Sequence, residues 1–431
     1  MESMAPPRSF TAAAQPMHRS SGAVAQGRRA GTICLTLSLL VISIGFLSVT
    51  GDADRDATMQ ELLIARLARL GSVLVAFSIA AAGIGLVGWK SLFQPGRVRI
   101  FALYALACAF SALFSAEPWL TAYRTLEVLL CVLLAALVTR EQTPLRSFKF
   151  ALFLIGLLVG TIWIGALIAP GRALQPIPGR TPYLHHMLYG VLPYVNPNTV
   201  GSRGGVLAVS GFIFALTAAT RRWRLFAWLL FFLGVATVIA SYSRMAFGAL
   251  GITLLLMSIL LKRWQYAAVM LLVLGILALA PGAFSALRTH MAQGREATAN
   301  VDTWSSGRWS LWHQCFEKVE SGGLGPLFVG NGLGVGLRYD EDLLVGHAHN
   351  SYIELMVDVG LFGLLLWFGL VVSCLWTFLR YCRGSRKARD TWALPLGVLL
   401  FLIILSVGAS AMVHFGADTL LLVTMAGAKK H

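Results

Sequence analysis

Charged residues are scarce in this sequence, and acidic residues are scarcer than basic ones. Only 13% of the 431 residues are Asp, Glu, Lys or Arg, whereas 57% are hydrophobic and the mean hydropathy is +0.72. A soluble globular domain has about 25% charged residues, so this chain cannot cover a water-soluble surface. The composition therefore excludes a soluble domain and predicts a polytopic membrane protein.

The sequence also lacks paired cysteines. Five of its six cysteines lie in apolar runs or on the side predicted to be cytoplasmic, which leaves only Cys315 outside. A single thiol cannot form an intramolecular disulfide, and no two cysteines have the spacing of a metal site.

Long apolar runs, by contrast, are abundant. A membrane-spanning helix needs about 20 apolar residues, and the chain offers twelve candidates. They lie at 32–49, 72–89, 98–115, 125–139, 150–169, 204–220, 225–241, 245–261, 265–282, 351–374, 393–410 and 412–428. We therefore divide the chain into a disordered cytoplasmic arm (1–30), spans 1 to 9 (31–282), a large periplasmic loop (283–348) and spans 10 to 12 (349–431).

Basic residues concentrate on one side of the predicted membrane. Most of the 35 lysines and arginines lie in the arm, in alternate turns and in the tail. This distribution is the positive-inside signal, so both termini are expected in the cytoplasm and the net charge of +16 does not indicate nucleic-acid binding. The last two runs have few residues in which to cross the membrane twice, and the final run is strictly apolar only from Leu420.

The predicted loop 283–348 is too long for a simple connector, so we expect it to fold over the membrane and to carry function. Trp304, Trp309, Trp312 and Phe316 have the spacing of an amphipathic helix at the interface. The glycine run 330–336 is interpreted as flexible. It is a weak candidate for a nucleotide-binding loop, because no Lys-Ser/Thr pair follows it.

The most informative stretch is Gly346-His347-Ala348-His349-Asn350-Ser351-Tyr352, which leads directly into an apolar helix. Glu354 and Asp358 lie four residues apart on one face of that helix. An ionisable group at membrane depth is costly, so both carboxylates are functional candidates. The alternative for Glu354 is that it offsets the dipole at the helix N-terminus.

Two arginines are placed to bind phosphate. Arg244 lies in the short turn Ser241-Tyr242-Ser243-Arg244 between two spans, and Arg308 begins the aromatic stretch of the long loop. The guanidinium fork suits phosphate oxygens, although headgroup contact or a helix-end salt bridge would also explain either residue. Four other arginines compete for the role with less context, namely Arg172, Arg180, Arg203 and Arg338.

These motifs together resemble a known family. His349-Asn350, followed after nine residues by Gly360-Leu361-Phe362-Gly363 and preceded by a large loop, resembles the bacterial O-antigen ligases. Further matching pieces are shared with O-antigen polymerases and O-linked oligosaccharyltransferases. They are Asn196-Pro197-Asn198, Ser243-Arg244, Gly307-Arg308 with Leu311-Trp312, and the glycine run. The resemblance covers roughly residues 190–375.

The resemblance implies a GT-C-type membrane glycosyltransferase that acts with inversion and without a cofactor or metal. Its expected donor is a glycan linked to undecaprenyl diphosphate, and its acceptor is a sugar of lipid A core on the periplasmic face of the inner membrane. His349 is the expected base, because imidazole titrates near neutral pH. Arg244 and Arg308 would neutralise the leaving diphosphate, with supporting roles for His347, Asn350, Glu354 and Asn198.

Other functions stay open at this point. The chain could be an O-antigen polymerase or an O-linked oligosaccharyltransferase. Asp52-Ala53-Asp54 resembles the acidic pair of metal-dependent GT-C transferases, and His347 and His349 could themselves be two metal ligands. Outside enzymology, a transporter or flippase for lipid-linked sugars would place its ionisable groups at the membrane midplane in broken helices.

Overall fold

A computed structural model describes most of the chain, and most of the described residues are helical. The described residues are 21–48, 59–92, 96–141, 143, 145–177, 185–191, 194–279, 307–337, 347–413 and 415–428. The predicted all-α polytopic membrane fold is confirmed. Four residues named above lie outside the described residues: Asp52, Asp54, Arg180 and Arg338. The same holds for 283–306 and 338–346 of the predicted loop.

Fifteen helices are defined within the described residues. They are α1 (Ser21–Ser48), α2 (Met59–Val87), α3 (Gly96–Phe110), α4 (Pro118–Val138), α5 (Arg146–Ile168), α6 (Pro170–Ala173), α7 (Pro197–Thr217), α8 (Arg221–Ala240), α9 (Arg244–Leu260), α10 (Trp264–Leu279), α11 (Arg308–Ser321), α12 (Leu324–Val329), α13 (Ser351–Cys382), α14 (Arg386–Leu405) and α15 (Ala417–Gly427).

Two short hairpins interrupt the helical pattern between α6 and α7. β1 (Leu174–Pro176) pairs antiparallel with β2 (His186–Leu188), and β3 (Gly190–Val191) pairs antiparallel with β4 (Tyr194–Val195). Leu188 and Val195 are buried together with Ile162 of α5, so the hairpins pack on the end of that helix.

Each of the twelve predicted apolar runs overlaps a helix, but the runs and the helices begin and end at different residues. Within the described part of the chain, eight helices are long and apolar enough to cross a membrane by length and composition. α1 begins at Ser21, inside the predicted arm, and α13 continues to Cys382, two turns beyond the predicted span. α15 has only 11 residues, about 16 Å of helix, which is shorter than the ~30 Å hydrocarbon core.

The last predicted span is shorter because the described residues between α14 and α15, 406–413 and 415–416, form a loop instead of helix. This segment, which we call the 406–416 loop, joins the end of α14 to the start of α15. α13 begins and α14 ends at this loop, and we call this end of the bundle the site end. α13 packs against α3, α12 and α14, so its first residues lie at the centre of the site end.

Ionisable side chains that enter the helical bundle near this end are paired. Glu127 of α4 accepts hydrogen bonds from Arg69 of α2 at 2.9 and 3.1 Å and from Arg124 at 3.0 Å. Arg69 also donates to the carbonyl of Phe415 in the 406–416 loop at 3.2 Å. Arg203 of α7 forms a buried ion pair with Asp418 of α15. Such pairing lowers the cost of burying charge away from water.

A break in α13 ties this membrane helix to the loop before it. Gly360 has φ +67° and ψ −173°, a backbone conformation that is essentially restricted to glycine. Just before the break, the carbonyls of Val357 and Asp358 accept hydrogen bonds from the amides of Asn331 and Gly332 at 2.9 and 3.0 Å. The glycine run is therefore docked on α13 and does not behave as the flexible segment that the sequence predicted.

Gly360→Ala should destabilise the protein strongly. A Cβ at this position would lie 2.4 Å from the carbonyl carbon of Phe328, and backbone strain alone costs about 1–3 kcal/mol. We expect a clearly lower thermal midpoint for the purified protein in detergent. Gly369→Ala is the matched control on the same helix, because a Cβ there meets nothing within 4 Å. Equal midpoints for the two variants would contradict this account of the break.

Candidate active site

The start of α13 is fixed by Asn350. Its side-chain oxygen accepts hydrogen bonds from the amides of Tyr352 and Ile353 at 3.0 and 3.2 Å, which caps the helix. Its amide nitrogen donates to the carbonyl of Val407 at 3.0 Å. One side chain therefore sets both where α13 begins and where the 406–416 loop lies against it.

The next residue, Ser351, makes three more bonds to the same loop. Its backbone amide donates to the carbonyl of Ser406 at 2.9 Å. Its hydroxyl lies 2.9 Å from the carbonyl of Ala409 and 2.6 Å from that of Ala411. Since Ser351 is fully buried, these contacts satisfy polar groups that water does not reach.

Glu354 lies one turn further into α13 and is also buried, with 2% of its surface exposed. One carboxylate oxygen lies 3.2 Å from Nδ1 of His347, and the other accepts a hydrogen bond from the hydroxyl of Ser410. A proton on Nδ1 of neutral His347 leaves Nε2 as the unprotonated nitrogen. This contact links Glu354 to His347.

His349 occupies a strained backbone position directly before the helix cap. Its φ is +52°, which is uncommon for a residue other than glycine and costs about 1–3 kcal/mol. Its half-buried ring lies with its centroid 6.4 Å from that of His347. Such strain persists only where neighbouring contacts impose it, and it is often found at functional sites.

The contact that holds the histidine turn comes from α11. Nε1 of Trp312 donates to the carbonyl of Ala348, the buried residue between the two histidines, at 2.9 Å. Arg308 lies four residues earlier on the same helix and therefore on the same face. α11 thus brings one arginine and the histidine turn to the same region.

The guanidinium of Arg308 is partly withdrawn from solvent. It donates to the carbonyl of Gly408 at 2.6 Å, and burial lowers the pKa of this arginine from its usual value. The side chain still carries its charge at neutral pH, because arginine titrates far above that range. Arg308 is consequently a cation held in place by the 406–416 loop.

Arg244 approaches the loop from another helix. It is the first residue of α9, after a turn in which Tyr242 has φ +57°. The following residue, Met245, packs against Gly408, because a Cβ on that glycine would lie 2.2 Å from Cε of Met245. Gly408 thus contacts Arg308 through its carbonyl and, through its α-carbon, the residue next to Arg244.

Several residues singled out from the sequence lie elsewhere. Asn198 is exposed in the first turn of α7, whereas Asn196 caps that helix by accepting from the amide of Thr199 at 2.9 Å. Arg203 is used in its buried pair with Asp418, and Arg172 is exposed. Asp358 accepts a hydrogen bond from the amide of Gly334 at 2.8 Å, so it helps to dock the glycine run.

Two components of the site were not found from the sequence, namely Ser410 and the 406–416 loop as a whole. The segment had been divided between two spans, although it contains serines at 406 and 410 and a glycine at 408. A polar, glycine-containing stretch between two short apolar runs was the signal for a loop. Within the described ranges, no group of three or more His, Cys, Asp or Glu side chains has a metal-binding arrangement.

Comparison with known proteins bears on the same residues. Residues 229–368 match the family model described as O-antigen ligase, and this segment includes Arg244, Arg308 and His349. This match is consistent with a member of the O-antigen ligase and polymerase superfamily. The matched segment is less than half of the chain and stops before the 406–416 loop. No curated protein matches the chain.

The match supports a coarse description of the protein. The supported activity is that of a glycosyltransferase of the ligase or polymerase type. Its substrate is a lipid-linked glycan, and its location is a bacterial membrane.

Trp312→Phe should reduce activity without preventing folding. The substitution keeps an aromatic ring but removes the donor to Ala348, a bond worth about 0.5–1.5 kcal/mol. Because that bond positions the histidine turn, we expect the rate of glycan transfer to fall several-fold at normal protein levels. The control is Trp309→Phe on the same helix, whose side chain is 59% exposed. Equal rates for both variants would show that the Trp312 bond does not position the site.

Proposed function

We propose that the protein transfers O-antigen polysaccharide from undecaprenyl diphosphate to a sugar hydroxyl of lipid A core. The observation that carries this proposal is the convergence at the 406–416 loop. Gly408 contacts Arg308 and the residue after Arg244, while Ser410 contacts the carboxylate that holds His347. Cations for a diphosphate and imidazoles for a hydroxyl proton thus lie at one end of the bundle.

In this mechanism the base is His349. A sugar hydroxyl is a weak nucleophile, and the imidazole removes its proton as the oxygen attacks the anomeric carbon. The bond from that carbon to the phosphate oxygen breaks, and undecaprenyl diphosphate leaves with the electron pair. Attack opposite the leaving group inverts the anomeric configuration. No nucleotide or metal takes part in this proposal.

The leaving group needs positive charge more than it needs a proton. The conjugate acid of a diphosphate has a low pKa, so electrostatic stabilisation is the main requirement for its departure. Arg308 is held by a backbone carbonyl and by burial, and Arg244 is held at the start of α9. Guanidinium groups fixed in this way can form paired hydrogen bonds to phosphate oxygens without reorganising during the reaction.

His347 and Glu354 act together in this proposal. A carboxylate that accepts the Nδ1 proton fixes the imidazole tautomer and the orientation of the ring. The unprotonated Nε2 of His347 then accepts a hydrogen bond from the acceptor sugar and helps to place its reactive hydroxyl near His349. The same geometry would suit a base, so His347 is the alternative for that role.

The proposed reaction takes place on the periplasmic face of the inner membrane. The site end is opposite the basic residues at the start of α14, and basic residues mark the cytoplasmic side. An undecaprenyl chain in the outer leaflet would then present its diphosphate at the height of Arg244 and Arg308.

The decisive experiment is a transfer assay with purified components. The full-length protein in lipid nanodiscs is mixed with undecaprenyl diphosphate-linked glycan and lipid A core, and the products are separated on a gel. A ligase shifts the acceptor band. A polymerase lengthens the donor glycan and leaves lipid A core unmodified, and a transporter moves the donor without forming a covalent product. Either of these last two results would overturn the proposal.

Replacing Arg244 or Arg308 by Ala should reduce transfer by about 10²–10³-fold, the typical cost of losing one electrostatic stabiliser. Lysine should restore only part of the rate, because it lacks the planar fork. The matched control is Arg172→Ala, since Arg172 is an exposed arginine outside the site. Initial rates at saturating donor measure the effect. Near-normal rates for both alanine variants would place the diphosphate elsewhere.

His349→Asn should abolish most of the activity while the protein still folds. Asparagine tolerates a positive φ but cannot accept the proton at neutral pH. Loss of a general base commonly costs about 10²–10⁴ in rate. His349→Gly, which also suits the backbone, should regain activity when imidazole is added to the assay.

The same experiment with His347 separates the two histidines. His347→Asn is expected to lower the rate less than His349→Asn and to respond weakly to imidazole. The opposite ranking, with imidazole rescue at position 347, would assign the base to His347 and its partner Glu354.

A further inference from the structure

A cavity of about 290 Å³ lies at the opposite end of the bundle from the candidate active site. α14 separates the two, and its 20 residues correspond to about 30 Å of helix. The cavity is formed where α7 ends, α9 turns into α10, and α14 begins. Its lining residues are Leu216, Thr217, Leu261, Lys262, Arg263, Arg386, Arg389 and Asp390.

The cavity carries uncompensated positive charge. Four basic side chains and one carboxylate line it, which leaves three positive charges. The carboxylate oxygens of Asp390 lie 3.9 Å from Nε of Arg386 and 4.0 Å from Nε of Arg389. One carboxylate is thus shared by two arginines, and both distances are too long for hydrogen bonds. Across the described ranges of the chain, Lys262 and Arg263 form no ion pair.

The turn that presents two of these residues has a defined backbone. The amides of Lys262 and Arg263 donate to the carbonyls of Ile259 and Ser258 at 3.0 and 2.8 Å. Lys262 itself has φ +57°, a left-handed conformation that ends α9 sharply. The two basic residues are therefore held at the cavity by the backbone, and no carboxylate of the described part of the chain pairs with them.

The surroundings of the cavity are apolar. Leu260 and Trp264 flank the basic turn and are exposed, Trp264 by 61%, although both lie on helices of a membrane bundle. Exposed aromatic and aliphatic side chains of this kind face lipid, and tryptophan prefers the level of the headgroups. The positive cavity thus opens at the boundary between headgroups and acyl chains.

We propose that this cavity binds the phosphate headgroup of an anionic membrane lipid. Basic pockets between membrane helices recognise such headgroups, whereas isolated basic residues on turns only orient the chain. Three excess positive charges match a lipid with two phosphates better than a lipid with one. We therefore expect cardiolipin to bind more tightly than phosphatidylglycerol. This inference is independent of the reaction proposed for the other end.

Native mass spectrometry of the full-length protein titrated with lipids tests the proposal. Cardiolipin should bind more tightly than phosphatidylglycerol, and phosphatidylcholine should bind weakest. Lys262→Gln and Arg263→Gln should each weaken cardiolipin binding about fivefold, which corresponds to about 1 kcal/mol per basic residue. The control is Arg221→Gln, an exposed basic residue at the start of α8 that does not line the cavity; its affinity should be unchanged.

Asp390→Asn distinguishes a binding role from a structural one. Removal of the only carboxylate in the cavity raises its positive charge, so cardiolipin should bind more tightly. If these residues serve only to stabilise the helix ends, the same variant should leave lipid affinity unchanged or lower. Equal affinities for cardiolipin and phosphatidylcholine would overturn the proposal. Competition by inorganic phosphate at the concentration of the lipid would also overturn it, because the ligand would then be a soluble phosphate.

Discussion

The candidate active site depends on hydrogen bonds to backbone carbonyls of the 406–416 loop. Carbonyls of this loop accept from Asn350, Ser351, Arg308 and Arg69, which come from three different parts of the chain. A buried carbonyl without a partner is costly, and a loop at the end of a membrane bundle has no helical ladder to satisfy it. The same bonds that make this loop stable therefore position the residues proposed to act on substrate.

This arrangement explains how an apolar protein can hold charged groups at fixed positions. Glu354 is buried but has a histidine and a serine hydroxyl as partners, and Arg308 is partly buried but donates to Gly408. Each charge is thus stabilised by a short-range contact that also limits its orientation. The strain at His349 is tolerated because Trp312 and Asn350 hold the residues on either side of it.

The sequence was sufficient for the features that depend on local composition. Apolar runs indicated every span-like helix, because hydropathy is a property of consecutive residues, and the position of Asn350 indicated a helix start. The family motif directed attention to His349, Arg308 and Arg244, and their roles stay predictions. The partner of Glu354 was not predicted, since spacing along α13 does not show that His347 folds back over the helix start.

Features that depend on contacts between distant segments could not be predicted. Ser410 is 56 residues from Glu354, and Trp312 is 36 residues from Ala348. The glycine run was interpreted as flexible because its composition allows many conformations, yet packing against α13 selects one. Asn198 was chosen from its motif, although Asn196 is the residue whose side chain accepts the helix-start amide.

The break at Gly360 also has an evolutionary consequence. The glycine run and the Gly360 region form a single joint. A side chain on Gly330 would meet the backbone of Asp358 and Val359, and a side chain on Gly360 would meet the backbone of Phe328 and Gly330. Neither half can accept a larger residue while the other remains unchanged. If the large outer loop of this chain is replaced by that of a relative, a functional hybrid should therefore take both halves of this joint from the same parent. A crossover point between residues 336 and 357 would separate them, so viable crossovers should lie before the glycine run or well inside the membrane helix.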